Sequence, residues 1–164
     1  MRRVFAAALL AAACSRGPQV PVNTLLWHVE EWRPASPNVR RAAAKFISFR
    51  AHGEFTEHVC YVIEQPDTSV YISRSDPHVI AIGKWTDQRP RIEATRDLVS
   101  RSTGHRAGTD PLCAVSTFTI SGNSVIDQKG VQFSPVTRLV APDFESYYSD
   151  AQKTGTPCPQ PPSK

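Results

Sequence analysis

Lys45–Glu64, KFISFRAHGEFTEHVCYVIE, is the stretch from which the fold can be read. Ile47, Phe49 and Ala51 alternate with Ser48 and Arg50. After His52-Gly53, the residues Phe55, Val59, Tyr61 and Ile63 continue on one side. Successive side chains of a strand point to opposite faces, so a period of two marks a strand with one buried face. Glycine adopts positive φ without steric cost, and a glycine between two alternating runs marks a hairpin. Two long antiparallel strands joined at Gly53 are therefore expected.

The flanks repeat the pattern. Leu25–Trp32, LLWHVEEW, is a candidate strand, broken by Pro34 and Pro37. Helix competes with strand only at Arg40–Lys45, where three alanines occur together. Gln65-Pro66-Asp67-Thr68 is a turn, SVYISR a short strand, and Ser75-Asp76-Pro77-His78 another turn. VIAIGKW, Val79–Trp85, is apolar on both sides and predicts a well-covered strand, with Gly83 allowing close approach of a neighbouring backbone. RIEATRDLVSR, LCAVSTFTI, NSVID and VQFSPVTRLV supply further strands, separated by a polar segment at Ser102–Asp110 and by the turns SGNS and DQKG. Near the end, Pro142 suits a first helical position, and Phe144, Tyr147, Tyr148 and Ala151 follow the i, i+3, i+4, i+7 rule. The expectation is an all-β domain, an antiparallel meander of about eight strands closed as a barrel or stacked as a sandwich, with one short C-terminal helix. At the level of architecture this resembles the lipocalin-like up-and-down barrels.

The ends of the chain read differently. MRRVFAAALLAAAC carries Arg2 and Arg3 ahead of ten apolar residues, Val4–Ala13. That run is too short for a helix crossing a bilayer core of ~30 Å, and suits a secretory signal. Ala12, Ala13 and Cys14, with Leu10 upstream, resemble the bacterial lipobox. The resemblance implies that residues 1–13 are a signal peptide, that Cys14 is lipidated, and that the protein sits on the periplasmic face of the outer membrane. Ordinary cleavage near Ala13, giving a soluble periplasmic protein, is the alternative. Residues 14–23 then form a tether, 24–153 the β-domain and 154–164 a Pro-rich tail.

The net charge of +4 falls to +2 without Arg2 and Arg3, leaving 17 basic against 15 acidic side chains. The basic residues of Lys84–Arg106, Arg96 among them, interleave with Asp87, Glu93 and Asp97 and read as a mixed solvated face. No one-signed stripe or nucleic-acid-binding module is present, so no nucleic-acid partner is expected.

Secretion permits disulfides. Four cysteines allow three connectivities, and with Cys14 lipidated one bridge remains among Cys60, Cys113 and Cys158. Cys60 and Cys113 lie in or beside predicted strands and are the expected pair, although Cys158 in the tail could reach either. His58 and Cys60 share a strand face and offer two metal ligands. No second such pair and no CxxC follows, so neither metal nor cofactor is expected. There is no GxSxG elbow, P-loop or dinucleotide fingerprint. Glu30-Glu31, between Trp27 and Trp32, offers an acid held near an aromatic, a setting that raises a carboxyl pKa, but the commoner arrangement is a strand with one Glu solvated and the tryptophans packed.

These features favour a non-enzymatic cell-envelope lipoprotein whose β-domain binds a small apolar ligand or a periplasmic protein, with Trp27, Trp32, Tyr61 and Trp85 as candidate lining residues. A periplasmic inhibitor or immunity protein, acting through Ser102–Asp110 against a cell-wall hydrolase or toxin, is the second expectation. An envelope hydrolase is the third.

Overall fold

The computed structural model describes residues 19–102, 113–140 and 143–159. The expected signal peptide, Cys14, the first part of the tether, Pro142, the tail beyond 159 and all of the 102–110 segment except Ser102 lie outside the described residues. The strands are β1 (Leu25–Val29), β2 (Arg33–Ser36), β3 (Val39–Phe49), β4 (Glu54–Glu64), β5 (Val70–Ile72), β6 (Val79–Gln88), β7 (Arg91–Arg101), β8 (Ser116–Ser121), β9 (Ser124–Asp127), β10 (Gln132–Pro135) and β11 (Thr156–Pro157). Among the described residues one α-helix, α1 (Phe144–Thr154), precedes β11.

Eight strands close a ring in the order β1-β3-β4-β6-β7-β8-β9-β10 and back to β1, every pair antiparallel. This is an up-and-down barrel, in which each ring strand pairs with the next one along the chain. The remaining strands are additions, with β2 on β3, β5 on β4 and β11 on β7. The Lys45–Glu64 hairpin is its longest uninterrupted ladder, running from Arg40↔Glu64 to Phe49↔Phe55. At its tip His52 and Gly53 both take positive φ, 64° and 78°. The alanines at 42–44 are strand, because Ala42 and Ala44 bury one face in a central ladder. Tertiary pairing overrides their helical propensity.

Strand alternation sorts the residues into two apolar layers. Leu26, Ile47, Phe49, Phe55, Ile92, Ala94, Phe118, Ile120, Val125 and Phe133 fill the barrel. Its aromatic rings interlock, Phe49 lying 5.6 Å from Phe55 and 5.5 Å from Phe118, and Phe118 lying 6.0 Å from Phe133. An eight-stranded barrel can be filled by side chains or hold one small ligand, and here the side chains fill it. On the outer wall, Ala42, Ala44, Phe46, Cys60, Val62 and Ile80 are covered by Phe144, Tyr148 and Ala151 of α1. Asp143 caps the helix by accepting from the Ser146 N–H.

Gly83 sits at a bulge where β6 slips against β7. A Cβ built there would lie 2.0 Å from the Thr95 carbonyl oxygen and 2.7 Å from Arg96 Cα, both backbone atoms that cannot swing aside. Gly83→Ala is expected to destabilise the barrel by about 3 kcal/mol, the upper range for overpacking. A urea midpoint indistinguishable from that of the parent would refute this close approach.

Arg96, read in the sequence as part of a solvated face, points into the barrel instead. Its Nη2 donates to Glu57 Oε2 at 2.5 Å, and Lys45 Nζ lies 2.5 Å from Glu57 Oε1. The side chains of Arg96 and Glu57 are only 2% and 1% exposed. Arg96 shares the inward face with Ala94 and Ile92, two and four residues earlier on β7, and its Nη1 donates to Ala114 O at 2.7 Å and Ser116 Oγ at 2.8 Å.

The expected Cys60–Cys113 bridge is not formed. Cys113 is bonded to Cys158, with a Cα–Cα distance of 5.5 Å, and Cys60 is a buried free thiol. The reason is facial: Cys60 points outward under α1, whereas Cys113 and Cys158 pack with Ala81 and Val99. Ala81 pairs with Glu57, on the opposite face of β4 from Cys60. The tail is extended as expected, but it is part of the sheet. Thr156 and Pro157 pair with Val99 and Leu98, in a part of β7 that β8 does not reach.

Candidate functional site

The aromatic residues expected to line a ligand pocket do not converge. Trp27 is on the outer wall, 5.7 Å from the Phe46 ring. Trp32 lies under the Arg40 guanidinium, and Tyr61, 37% exposed, lies under that of Arg41. Trp85 packs against the inner core and donates from Nε1 to Arg50 O at 2.9 Å. Strand alternation places Trp27 and Trp85 on opposite faces, and the space between them is filled by phenylalanines. Glu30 and Glu31 are exposed.

What converges is a different set, on the outer wall beneath α1. His58 and Cys60 are two apart on β4 and so share a face. Val59 pairs with Val79, which puts the preceding residue, His78, opposite Cys60. The main chain of His78 is pinned there, its N–H donating to Ser102 Oγ at 2.8 Å and its carbonyl accepting from the Ser102 N–H at 3.0 Å. One ligand-type atom from each of His58, Cys60 and His78 lies within 4.8 Å of the others, and all three residues are buried. The nearest pair, His58 Nε2 and His78 Nδ1, is 2.8 Å apart and shares one hydrogen bond.

The remaining ring nitrogens, His58 Nδ1 and His78 Nε2, are buried with no partner of hydrogen-bonding geometry. Such orphans are uncommon, because an unsatisfied buried polar atom costs about 1–3 kcal/mol. Aromatic rings roof the cluster. Tyr147 is 5.0 Å from both imidazoles and stacked on that of His78, and Phe144 meets His58 edge-on at 5.5 Å. Tyr147, half-buried, also lines a surface groove with Tyr71, Ile72, Arg74, Val140 and Asp143.

Burial sets the protonation. It pushes His58 down to about 3, with His78 adding to the effect. It also lowers His78, offset in part by the Ser73 backbone and by Asp76. Burial, with Asp76 nearby, raises Cys60 to about 12. Both imidazoles are therefore neutral, the form that binds metals, and Cys60 is a thiol. A buried thiol held so far from its thiolate is a poor nucleophile, so a Cys–His catalytic pair is disfavoured. The three donors suit a soft or borderline transition-metal ion, whose ligands at about 2.0–2.3 Å lie roughly 3.3–4 Å from one another.

In the metal-free protein these histidines make stability depend on pH. Unfolded His58 takes a proton near pH 6.5, whereas folded His58 resists until about pH 3. The unfolded state binds more protons in that window, so stability is full above about pH 6.5 and is lost as pH falls through it. His58 alone is expected to remove about 2 kcal/mol by pH 5, and His78 acts in the same direction. Urea unfolding of the parent and of His58→Gln at pH 7 and pH 5 checks this, since the gap between them should close as pH drops. A gap that stays constant would contradict a neutral, buried His58.

The chain matches no family model, no curated protein and no solved structure.

Proposed function

We propose that this chain is a non-enzymatic cell-envelope lipoprotein, anchored through Cys14, whose barrel holds a transition-metal ion at His58, Cys60 and His78. The observation that carries the reading is the meeting of these three buried donors in an aromatic enclosure. The ion would take the facing nitrogens, His58 Nε2 and His78 Nδ1, in place of the hydrogen bond they share. The filled barrel interior favours this outer-wall site over an apolar ligand inside the ring.

The lipid anchor rests on the residues around Cys14, and its membrane partner follows from it. Two or more acyl chains exceed the two-signal threshold for stable anchoring, at ~0.8 kcal/mol per buried methylene. The intact mass of membrane-extracted protein tests this part, with a diacylglyceryl adduct on a chain beginning at Cys14 as the expected result. Equilibrium dialysis against first-row metal ions, followed by elemental analysis, tests the site. One equivalent per chain is expected for the parent and none for His58→Gln/His78→Gln. If the parent retains no ion, the proposal fails.

A further inference from the structure

Resting on the metal-site reading above, we infer that the ion is monovalent copper, held by three ligands beneath α1. Charge is the first argument. Two neutral imidazoles and one thiolate give a ligand set of −1, which a monovalent cation brings to zero. A divalent cation would leave +1 among Phe46, Val62, Ile80, Phe144 and Tyr148. The nearby acid, Asp76, is already engaged by Arg41 Nη2 at 2.5 Å. An uncompensated charge in such surroundings costs several kcal/mol.

Coordination number is the second argument. Zinc in proteins is almost always four-coordinate, through a fourth side chain or an open position for water. Among the described residues no further His, Cys, Asp or Glu joins the group. The rings of Phe144 and Tyr147 pack against the imidazole of His58. Thiolate and imidazole donors in a three-fold arrangement suit the softer monovalent ion.

Binding is balanced without any electron transfer. The ion arrives as Cu(I), the Cys60 thiol gives up its proton to solvent as the Cu–S bond forms, and the two imidazoles donate lone pairs. The hydrogen bond between His58 and His78 breaks, and the ring that donates in it shifts its proton to its outer nitrogen, so that both facing nitrogens present lone pairs. The half-buried Tyr147, which separates the groove from His78, is the side chain that swings to admit the ion.

The test is an anaerobic titration of the metal-free full chain, in detergent and with its disulfide intact, into the coloured bicinchoninate complex of Cu(I). One equivalent should be withdrawn per chain. Copper X-ray absorption should show a three-coordinate Cu(I) with two nitrogen and one sulfur neighbours, and excess Zn(II) should not displace it. Cys60→Ser should weaken binding by at least about 100-fold, since a direct ligand matters more than its hydrogen-bonding support. Should that variant fail to fold, the absorption spectrum of the parent still decides. Four-coordinate Zn(II) or Co(II) held in place of Cu(I), or copper lacking the sulfur neighbour, overturns the inference and leaves the metal-site reading standing. If no ion is held, both fall.

Discussion

Replacing Arg96 with alanine is expected to lower the stability of the barrel by about 3–5 kcal/mol, the cost of leaving one member of a buried ion pair behind. Glu57 would keep Lys45 on one carboxylate oxygen, but it would lose the two Arg96 bonds on the other. Ala114 O and Ser116 Oγ would lose their donor as well, loosening the segment that leads into β8. The contact of the guanidinium with the Phe55 ring, 5.2 Å away, would also go. Denaturant unfolding of Arg96→Ala measures the effect, and a loss below about 1 kcal/mol would show that the pair is dispensable. A companion variant separates charge from packing. Glu57→Leu/Arg96→Met removes both charges and keeps apolar volume, so it should lose less than Arg96→Ala alone.

Opening the Cys113–Cys158 disulfide is the second large change. The bridge spans 45 residues, and the chain-entropy relation gives about 4 kcal/mol for a loop of that length. The structure adds a local consequence. Cys158 N–H donates to Asp97 O at 2.8 Å and β11 pairs with Leu98 and Val99, so the bridge holds a strand over the part of β7 left bare by β8. Reduction should therefore lower the guanidinium midpoint and speed amide exchange at Cys158 and in the β7–β11 ladder. Exchange at Ile92, where β7 pairs with β8, should follow only the global change. An unchanged midpoint under a thiol reductant would show that the tail contributes nothing to the fold.

Much of this molecule is legible residue by residue. The Lys45–Glu64 hairpin carries its alternation and its glycine together, and α1 shows its apolar stripe at Phe144, Tyr148 and Ala151. The His58/Cys60 pair is visible as well, because two residues on one strand share a face whatever the strand pairs with. His78 was not. It lies 20 residues from His58, with β5 between, and its place opposite Cys60 depends on the β4–β6 register. Arg96 reads as solvated from the charges around it in sequence, whereas alternation with Ile92 and Ala94 turns it inward, where Glu57 from β4 pairs with it. The cysteine pairing failed on faces. Strand proximity favoured Cys60 with Cys113, but a sheet lies between them, and a tail rich in proline supplied the true partner.

From its sequence by itself this chain is an all-β meander of short strands with one terminal amphipathic helix. Side-chain period and turn chemistry are local properties of the backbone, and they survive without knowledge of neighbours. Tertiary structure alone decided that β1 meets β10 to close the ring, that phenylalanines fill it, and that two histidines and a thiol meet on its outer wall. Those outcomes depend on register between distant strands. A shift of one residue turns every side chain to the other face, so only the closed barrel selects which residues meet.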